Sequence, residues 1–212
     1  MTRRSYLLPA LAALALAGRA DAQVLQAPDG WTARPERFVE MPPGWHITAG
    51  RGVILYNEAT AMDGEFRVES EGFLFDPEGA NGTYGLILGG RELDSDAQRY
   101  VAFEIDTAGR YALRLHDGHD SAELVAPTRH EAVLPWTGEE ATVKNVLGVE
   151  AGADAVRFLV NGTPVAELPR ADVGPDGIVG LRIDAGLNIH VTTLDVTAGG
   201  ETKRWAPKRT ES

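Results

Sequence analysis

The chain has 212 residues, enough for one domain with a full core, and it has no cysteine and a formal net charge of −11 at pH 7. Without cysteine it cannot form a disulfide, a thiolate metal site or a cysteine nucleophile. The excess of negative charge would repel a polyphosphate, so nucleic acid is excluded as a partner.

The first 22 residues are typical of a cleaved export signal. Arg3 and Arg4 precede a short apolar run from Leu7 to Gly18, and the small residues of "ADA" end at Ala22. The run is too short to span a bilayer, which needs about 20 apolar residues. The adjacent arginines are similar to those of a twin-arginine signal, with ordinary secretory export as the alternative. We therefore predict a periplasmic or secreted bacterial protein whose mature chain has no transmembrane segment.

The rest of the chain predicts one all-β domain. Residues 23–44 are rich in proline and polar residues, which indicates an extended lead-in. Residues 45–198 consist of short alternating runs separated by glycine, aspartate, asparagine and proline, and no stretch keeps the apolar period of a helix. This pattern favours an antiparallel β-sandwich. Residues 199–212 contain the basic run "KRWAPKR" and are interpreted as a C-terminal tail.

An acidic segment, "RELDSD", lies between two of the predicted strands. Its carboxylates Glu92, Asp94 and Asp96 could supply oxygen ligands for calcium. The spacing does not complete an EF-hand loop, so a solvated acidic loop is the alternative. No other cofactor is expected, because the sequence has no phosphate-binding glycine motif.

The stretch "YVAFEIDTAGRYALRLH" predicts a hairpin of two alternating strands. Phe103 and its apolar neighbours would face the interior, and the polar residues between them would face water. The apolar faces of the two strands match only if the loop has three residues, 107–109. Gly109 would then take the left-handed conformation that such a loop requires.

In this register, each of the two acids of the hairpin has a partner on the opposite strand. Asp106 would lie opposite Arg110, and Glu104 would lie diagonal to Arg110 and Arg114. Cross-strand ion pairs on a sheet face that meets water contribute roughly 0.2–1 kcal/mol each. They are a sufficient reason for both acids, without a catalytic task.

Two further dipeptides predict tight turns. The "DG" at residues 117–118 favours a turn in "HDGHD" over a metal site, because no third histidine is close in sequence. The "NG" at residues 161–162 predicts a two-residue type I′ turn that would place Phe158 opposite Val165.

Several phrases, taken in order, resemble the concanavalin A-like lectin/glucanase superfamily, and especially its laminin G-like jelly rolls. They are "GEFRVESEGFLF", "GTYGLILGG", "RYVAFEIDTAGRYALRLHDG", "VKNVLGVEAGADAVRFLVNGTPVAEL" and "GIVGLRID". The resemblance covers about residues 45–198. It implies a jelly roll of two antiparallel sheets, with a concave face and rim loops that often meet glycans or calcium.

Laminarinase-like glucanases of this superfamily carry Glu-x-Asp-x-x-Glu. Glu104 and Asp106 match the first two positions, but Gly109 stands at the third. The proton donor of a retaining hydrolase is therefore missing, and we predict no catalytic residue. The opening "WHITAG" of residues 45–50 is also similar to that of 3-keto-disaccharide hydrolase-like domains, whose catalytic residues cannot be matched here one by one.

The resulting hypothesis is an exported, non-catalytic module that recognises glycans or makes structural contacts. Tyr100, Arg114 and Trp136 are the candidate sugar contacts, and Glu104 and Asp106 are candidate hydrogen-bond acceptors. An exposed tryptophan can stack on a pyranose ring, although a buried corner residue is the alternative for Trp136. A hydrolase of modified sugars and a calcium-stabilised adhesion domain are the competing functions.

Overall fold

The computed structural model describes residues 31–32, 37–41, 44–50 and 52–205. The predicted export signal, residues 1–22, and residues 206–212 of the predicted tail lie outside this part of the chain. No helix within it is long and apolar enough to cross a membrane.

The described chain forms fifteen strands and one helix of four residues. In order they are β1 (Trp31–Thr32), β2 (Arg37–Met41), β3 (Gly44–Thr48), β4 (Val53–Met62), β5 (Phe66–Phe75), β6 (Thr83–Arg91), β7 (Arg99–Asp106), β8 (Arg110–Asp117), β9 (Asp120–Arg129), β10 (Thr142–Ala151), β11 (Ala155–Val160), β12 (Thr163–Pro169), α1 (Arg170–Val173), β13 (Gly177–Ile183), β14 (Asn188–Ala198) and β15 (Glu201–Trp205).

These strands form two antiparallel sheets, as predicted. The seven-stranded sheet has the spatial order β1, β4, β13, β6, β7, β8 and β9. The eight-stranded sheet has the order β12, β11, β10, β5, β14, β3 and β2, and β15 also pairs with β14. Strands from distant parts of the chain are therefore neighbours, and β13 lies beside β6 near the centre of the seven-stranded sheet.

The core lies between the two sheets. Phe103 on β7 and Phe158 on β11 are fully buried, and their rings meet edge to face with centroids 5.2 Å apart. Because β7 and β11 belong to different sheets, this contact joins the sheets across the core. Burying a side chain of this size contributes roughly 1.5–3 kcal/mol. We call the side of each sheet that points away from this core its outward face.

The predicted β7–β8 hairpin is confirmed. Ile105 pairs with Tyr111, which leaves a three-residue loop after Asp106. Gly109 has φ 83° in this loop, and its N–H donates to the carbonyl of Asp106 at 3.3 Å. The side chain of Phe103 faces the core, so the predicted alternation of the strand also holds.

The turn at residues 161–162 is confirmed, but the strand pairing beyond it differs from the prediction. Asn161 and Gly162 have φ of 51° and 79°, as a type I′ turn requires. Phe158 pairs with Ala166 rather than Val165, because a bulge between Phe158 and Leu159 shifts the register. A bulge adds one residue to one strand, and the turn sequence does not reveal it.

The turn in "HDGHD" is also confirmed, and the sheets reach beyond residues 45–198. β8 and β9 are joined by two residues, and Gly118 has φ 61°. β2 extends the eight-stranded sheet beside β3, and β15 pairs with β14 as far as Trp205. Part of the predicted lead-in and part of the predicted tail therefore belong to the sandwich.

The outward face of the eight-stranded sheet carries a row of exposed ion pairs. Arg157 bonds both Glu150 and Glu167 at 3.2 Å, and Arg67 extends the row through a second bond to Glu150. Exposed pairs of this kind each contribute about 1 kcal/mol or less. The charges of this face largely neutralise one another.

Candidate functional site

The outward face of the seven-stranded sheet has a gap above Glu104. Arg182 on β13, Gly85 on β6, Glu104 on β7 and Ala112 on β8 lie side by side in one row across the sheet. Gly85 has no side chain, and Ala112 has only a methyl group. The guanidinium of Arg182 can therefore pass over β6 to reach the carboxylate of Glu104.

Glu104 is fully buried, which corrects the prediction that its carboxylate faces water. Its Oε1 accepts a hydrogen bond from Nη1 of Arg182, and its Oε2 lies 3.4 Å from Nη1 of Arg114. The predicted pairing with Arg114 is confirmed. The second arginine at Glu104 is Arg182, which was not expected, rather than Arg110, whose side chain bonds Asp106 instead. A carboxylate is tolerated in such a place only when charged or hydrogen-bonding partners replace its water. Glu104 is therefore not free to accept a hydrogen bond from a ligand, although the sequence had suggested this role for it.

Asp106 is also buried, at 7% exposure, and is used within the hairpin. Its Oδ1 accepts the N–H groups of Ala108 and Arg110, both at 2.9 Å, and its Oδ2 lies 2.6 Å from Nε of Arg110. The predicted ion pair with Arg110 is confirmed, but the predicted exposure is wrong. This carboxylate fixes the β7–β8 loop and the stem of Arg110.

Asp184 is a third acid at this end of the sheet, and it was not among the acids predicted from the sequence. Its Oδ2 accepts bonds from the N–H and hydroxyl of Thr83 at 2.9 and 2.8 Å. Its Oδ1 lies 2.8 Å from Nη2 of Arg182. Alternation in "GIVGLRID" puts Arg182 and Asp184 on one face, but the pairing of β13 with β6 was needed to bring them to Glu104.

Several of these side chains, although not that of Arg182, line an open cavity of about 170 Å³. Its walls include Thr83, Asp106, Arg110, Ala112, Arg114 and Asp184, and Glu104 lies beneath its floor. The cavity is smaller than the several hundred Å³ usual for drug-sized ligands. It suits a group about as large as one sugar ring.

Tyr100 lies farther along the same face and is not a wall of this cavity. Its ring is 4% exposed and stacks on His116 with centroids 4.6 Å apart. It belongs to a small apolar cluster with Tyr56, Ile87 and Leu93. Burial raises the pKa of Tyr100. The predicted sugar contact at Tyr100 therefore has little accessible surface to support it.

His116 is held in its neutral form by the same surroundings. Burial, together with the charges of Arg182 and Arg114, lowers the pKa of His116 from 6.5 to about 4. Its Nε2 is buried and has no hydrogen-bond partner within the described part of the chain. Protonation would place a further positive charge beside two guanidinium groups.

Trp136 lies in the segment between β9 and β10, outside the walls of the cavity. It is half-buried and packs against the core, and its backbone N–H donates to the carbonyl of Thr107 at 2.9 Å. The side chain of buried Asn145 bonds both the N–H and the carbonyl of Leu134, which anchors the same segment. This placement favours the corner interpretation over stacking on a ligand.

The predicted calcium ligands are exposed in the β6–β7 loop. Glu92 has φ 50°, and its carbonyl accepts the N–H of Ser95 at 3.0 Å. Among the residues that the structure describes, no group of three or more His, Asp or Glu is arranged to hold a metal ion. Calcium binding by Glu92, Asp94 and Asp96 stays a prediction.

Solved structures similar to this chain include the following three. A carbohydrate-binding module, CBM66 from Bacillus subtilis, has a TM-score of 0.61 at 14% identity, over 80% of this chain and 96% of that one. The exoplasmic/lumenal domain of VIP36 in its Ca2+/Man-bound form has a TM-score of 0.57 at 9% identity, over 86% and 91%. The potassium-bound carbohydrate recognition domain of Emp46p has a TM-score of 0.57 at 11% identity, over 79% and 88%.

No protein-family model matches the sequence, and no curated protein is significantly similar to it. The structural likeness defines the fold: the chain is a jelly-roll β-sandwich of the kind found in carbohydrate-binding and lectin domains. This agrees with the resemblance to the concanavalin A-like superfamily that the sequence shows.

Substitution of Glu104 by glutamine should destabilise the protein strongly. The change leaves Arg182 and Arg114 without the charge that they surround, and breaking a buried ion pair costs about 3 kcal/mol or more. Glu123→Gln is the matched control, because Glu123 lies 3.7 Å from the same Arg114 but its side chain is 53% exposed. That control should change the free energy of unfolding by about 0.5 kcal/mol or less. Urea unfolding measures both, and equal stabilities would contradict the role given to Glu104.

Stability should also fall between about pH 6.5 and pH 4 because of His116. Its folded pKa is about 4 and the ordinary value is 6.5, so the unfolded chain takes up the proton first as the pH falls. The contribution is fully present above pH 6.5 and decreases below it. Urea midpoints at pH 7.5 and pH 5 should differ more in the wild type than in His116→Gln. An equal loss in both proteins would show that another group causes it.

Proposed function

We propose that this protein is an exported carbohydrate-recognition module whose binding site is the cavity above Glu104. The observation that carries the proposal is the fixed array of hydrogen-bonding groups around that cavity. Arg182 and Arg114 are held by buried Glu104, and Arg110 is held by Asp106. A ligand in the cavity would find the guanidinium groups of Arg110 and Arg114, which line it, already oriented, which lowers the entropic cost of binding.

The shape and chemistry of the cavity suit a saccharide. Sugar hydroxyls both donate and accept hydrogen bonds, and the walls offer donors from Arg110 and Arg114 beside the oxygens of Thr83 and Asp184. The methyl group of Ala112 provides a small apolar area between them. The names of the similar structures, a carbohydrate-binding module and a carbohydrate recognition domain, support the same class of ligand.

Export supports a ligand outside the cytoplasm. The N-terminal pattern of charged, apolar and small residues is that of an export signal, so we place the mature protein in the bacterial periplasm or outside the cell. Saccharides of the cell envelope and of the surroundings are available there.

Binding to a glycan array tests the proposal. The wild-type protein should bind at least one saccharide, and Ala112→Leu should abolish that binding because the larger side chain fills the cavity. Ser121→Leu is the control: Ser121 is exposed on β9 of the same sheet and does not line the cavity. Folded wild-type protein that binds no saccharide, or binding unchanged in Ala112→Leu, would contradict the proposal.

A second candidate, hydrolysis of modified sugars, is favoured by one observation. Three carboxylates, those of Glu104, Asp106 and Asp184, lie at the same cavity. A glycosidase uses two such acids, one of which delivers a proton. Here the oxygens of all three acids already accept bonds from arginines or from neighbouring donors of the chain. A proton on any of them would have to displace one of these bonds.

We therefore expect no hydrolysis of a 3-keto-glucoside above the rate in buffer, measured by release of the free sugar. Asp184→Asn removes the most exposed of the three acids, and Glu123→Gln outside the cavity is its control. Turnover by the wild type and by Glu123→Gln that disappears in Asp184→Asn would show that the protein is a hydrolase and would overturn the proposal of a recognition module.

A further inference from the structure

Two of the three acids at the cavity, Glu104 and Asp106, have little capacity left for a ligand, whereas the arginines keep free donors. Both oxygens of Glu104 face guanidinium groups, and Glu104 has no exposed surface. Asp106 uses Oδ1 for two backbone N–H groups and Oδ2 for Arg110. A ligand that brings mainly donors, such as an amine, would find an accessible acid only in Asp184, whose side chain is 28% exposed and already pairs with Arg182.

Arg110 has the most available donors. Only its Nε is bonded, at 2.6 Å to Asp106, and its side chain is 50% exposed. Its two terminal nitrogens have no partner among the described residues, so four N–H groups remain for a ligand. Because Asp106 fixes the stem of the side chain, the free end of the guanidinium is oriented before any ligand arrives.

Arg114 adds a second, weakly used guanidinium on the same strand. Its Nη1 lies 3.4 Å from Glu104, and its Nη2 lies 3.7 Å from Glu123, which is beyond hydrogen-bond length. Arg110 and Arg114 are four residues apart on β8, about 13 Å along a strand, with Ala112 between them. They therefore flank the cavity from both ends of its β8 wall.

We propose that the ligand is an acidic saccharide whose carboxylate binds the terminal nitrogens of Arg110, while its ring occupies the space above Ala112. This inference depends on the proposed function and specifies its ligand. The planar guanidinium matches a carboxylate with two parallel bonds, and such charge-assisted bonds are roughly twice as strong as neutral ones. A neutral sugar can use the same donors only through weaker single bonds.

The negative net charge of the chain does not oppose this assignment. Charges separated by more than about 8 Å are largely screened at physiological ionic strength. The carboxylates nearest the cavity are already neutralised by arginines, so the free end of Arg110 is the charge that an arriving anion meets first.

The test compares two sugars that differ mainly in one group. D-Galacturonate carries a carboxylate where D-galactose carries a hydroxymethyl group, and both are titrated into 15N-labelled protein while amide shifts are followed. Wild type should bind D-galacturonate at least about tenfold more tightly than D-galactose, and the difference should shrink as salt is added. Sodium acetate is titrated in parallel and should bind more weakly than D-galacturonate, because it lacks the ring.

Three variants locate the carboxylate. Arg110→Gln should reduce D-galacturonate affinity about tenfold, and Arg110→Lys should fall between it and the wild type, because lysine keeps the charge and loses the planar fork. Arg157→Gln is the matched control: its side chain is 49% exposed and ion-paired, but it lies on the other sheet. This control should bind like the wild type.

Each other result overturns a stated part of the proposal. Equal affinity for D-galactose and D-galacturonate would overturn the acidic ligand and leave carbohydrate recognition standing. Acetate that binds as tightly as D-galacturonate would show that the site takes up an adventitious ion only and does not recognise the sugar ring. Unchanged binding in folded Arg110→Gln would remove Arg110 from the site. Failure of D-galacturonate, together with every saccharide of the array, would overturn carbohydrate recognition itself.

Discussion

The carboxylate of Glu104 lies between two guanidinium groups on the outward face of a sheet, and the geometry of the site depends on this contact. An isolated carboxylate could not be removed from water at this position. Arg182 and Arg114 replace the water, and Glu104 in turn holds both arginines in place. Asp184 and Thr83 extend the same network to the end of β13. Charged groups link β7, β8 and β13 in this way, and the hydroxyl of Thr83 adds β6 to the same network.

The two outward faces use charge differently. On the eight-stranded sheet, Arg67, Glu150 and Arg157 alternate in an exposed row whose members pair with their direct neighbours. On the seven-stranded sheet, the acidic groups are largely buried between small residues, and the charged side chains lie around a cavity. The difference arises from Gly85 and Ala112, because larger side chains in that row would fill the space that the arginines and the cavity now occupy.

Local features of the fold were predictable, whereas the composition of the site was predictable only in part. The alternation of apolar residues and the turn residues predicted the strands, the three-residue loop before Arg110 and the ion pair between Arg110 and Asp106. All of these features depend on residues that are close in sequence. Arg182 was missed because β13 reaches β7 only through β6, and this order is set by packing between distant segments. The burial of Glu104 was missed for the same reason. The bulge beside Phe158 likewise has no signature in the "NG" turn that follows this residue.

Gly85 also limits how the row beside the cavity can be altered. A Cβ atom at this position would lie 1.9 Å from the carbonyl oxygen of Phe103, on the backbone of the adjacent strand. No rotamer can relieve that overlap, because both atoms belong to paired main chains. Redesign of ligand selectivity must therefore begin at the β8 wall. Ala112 and Arg110 can each be substituted there without separating two strands. The row that Arg182 crosses is fixed at Gly85 by main-chain sterics, and the β8 wall of the cavity is the part open to variation.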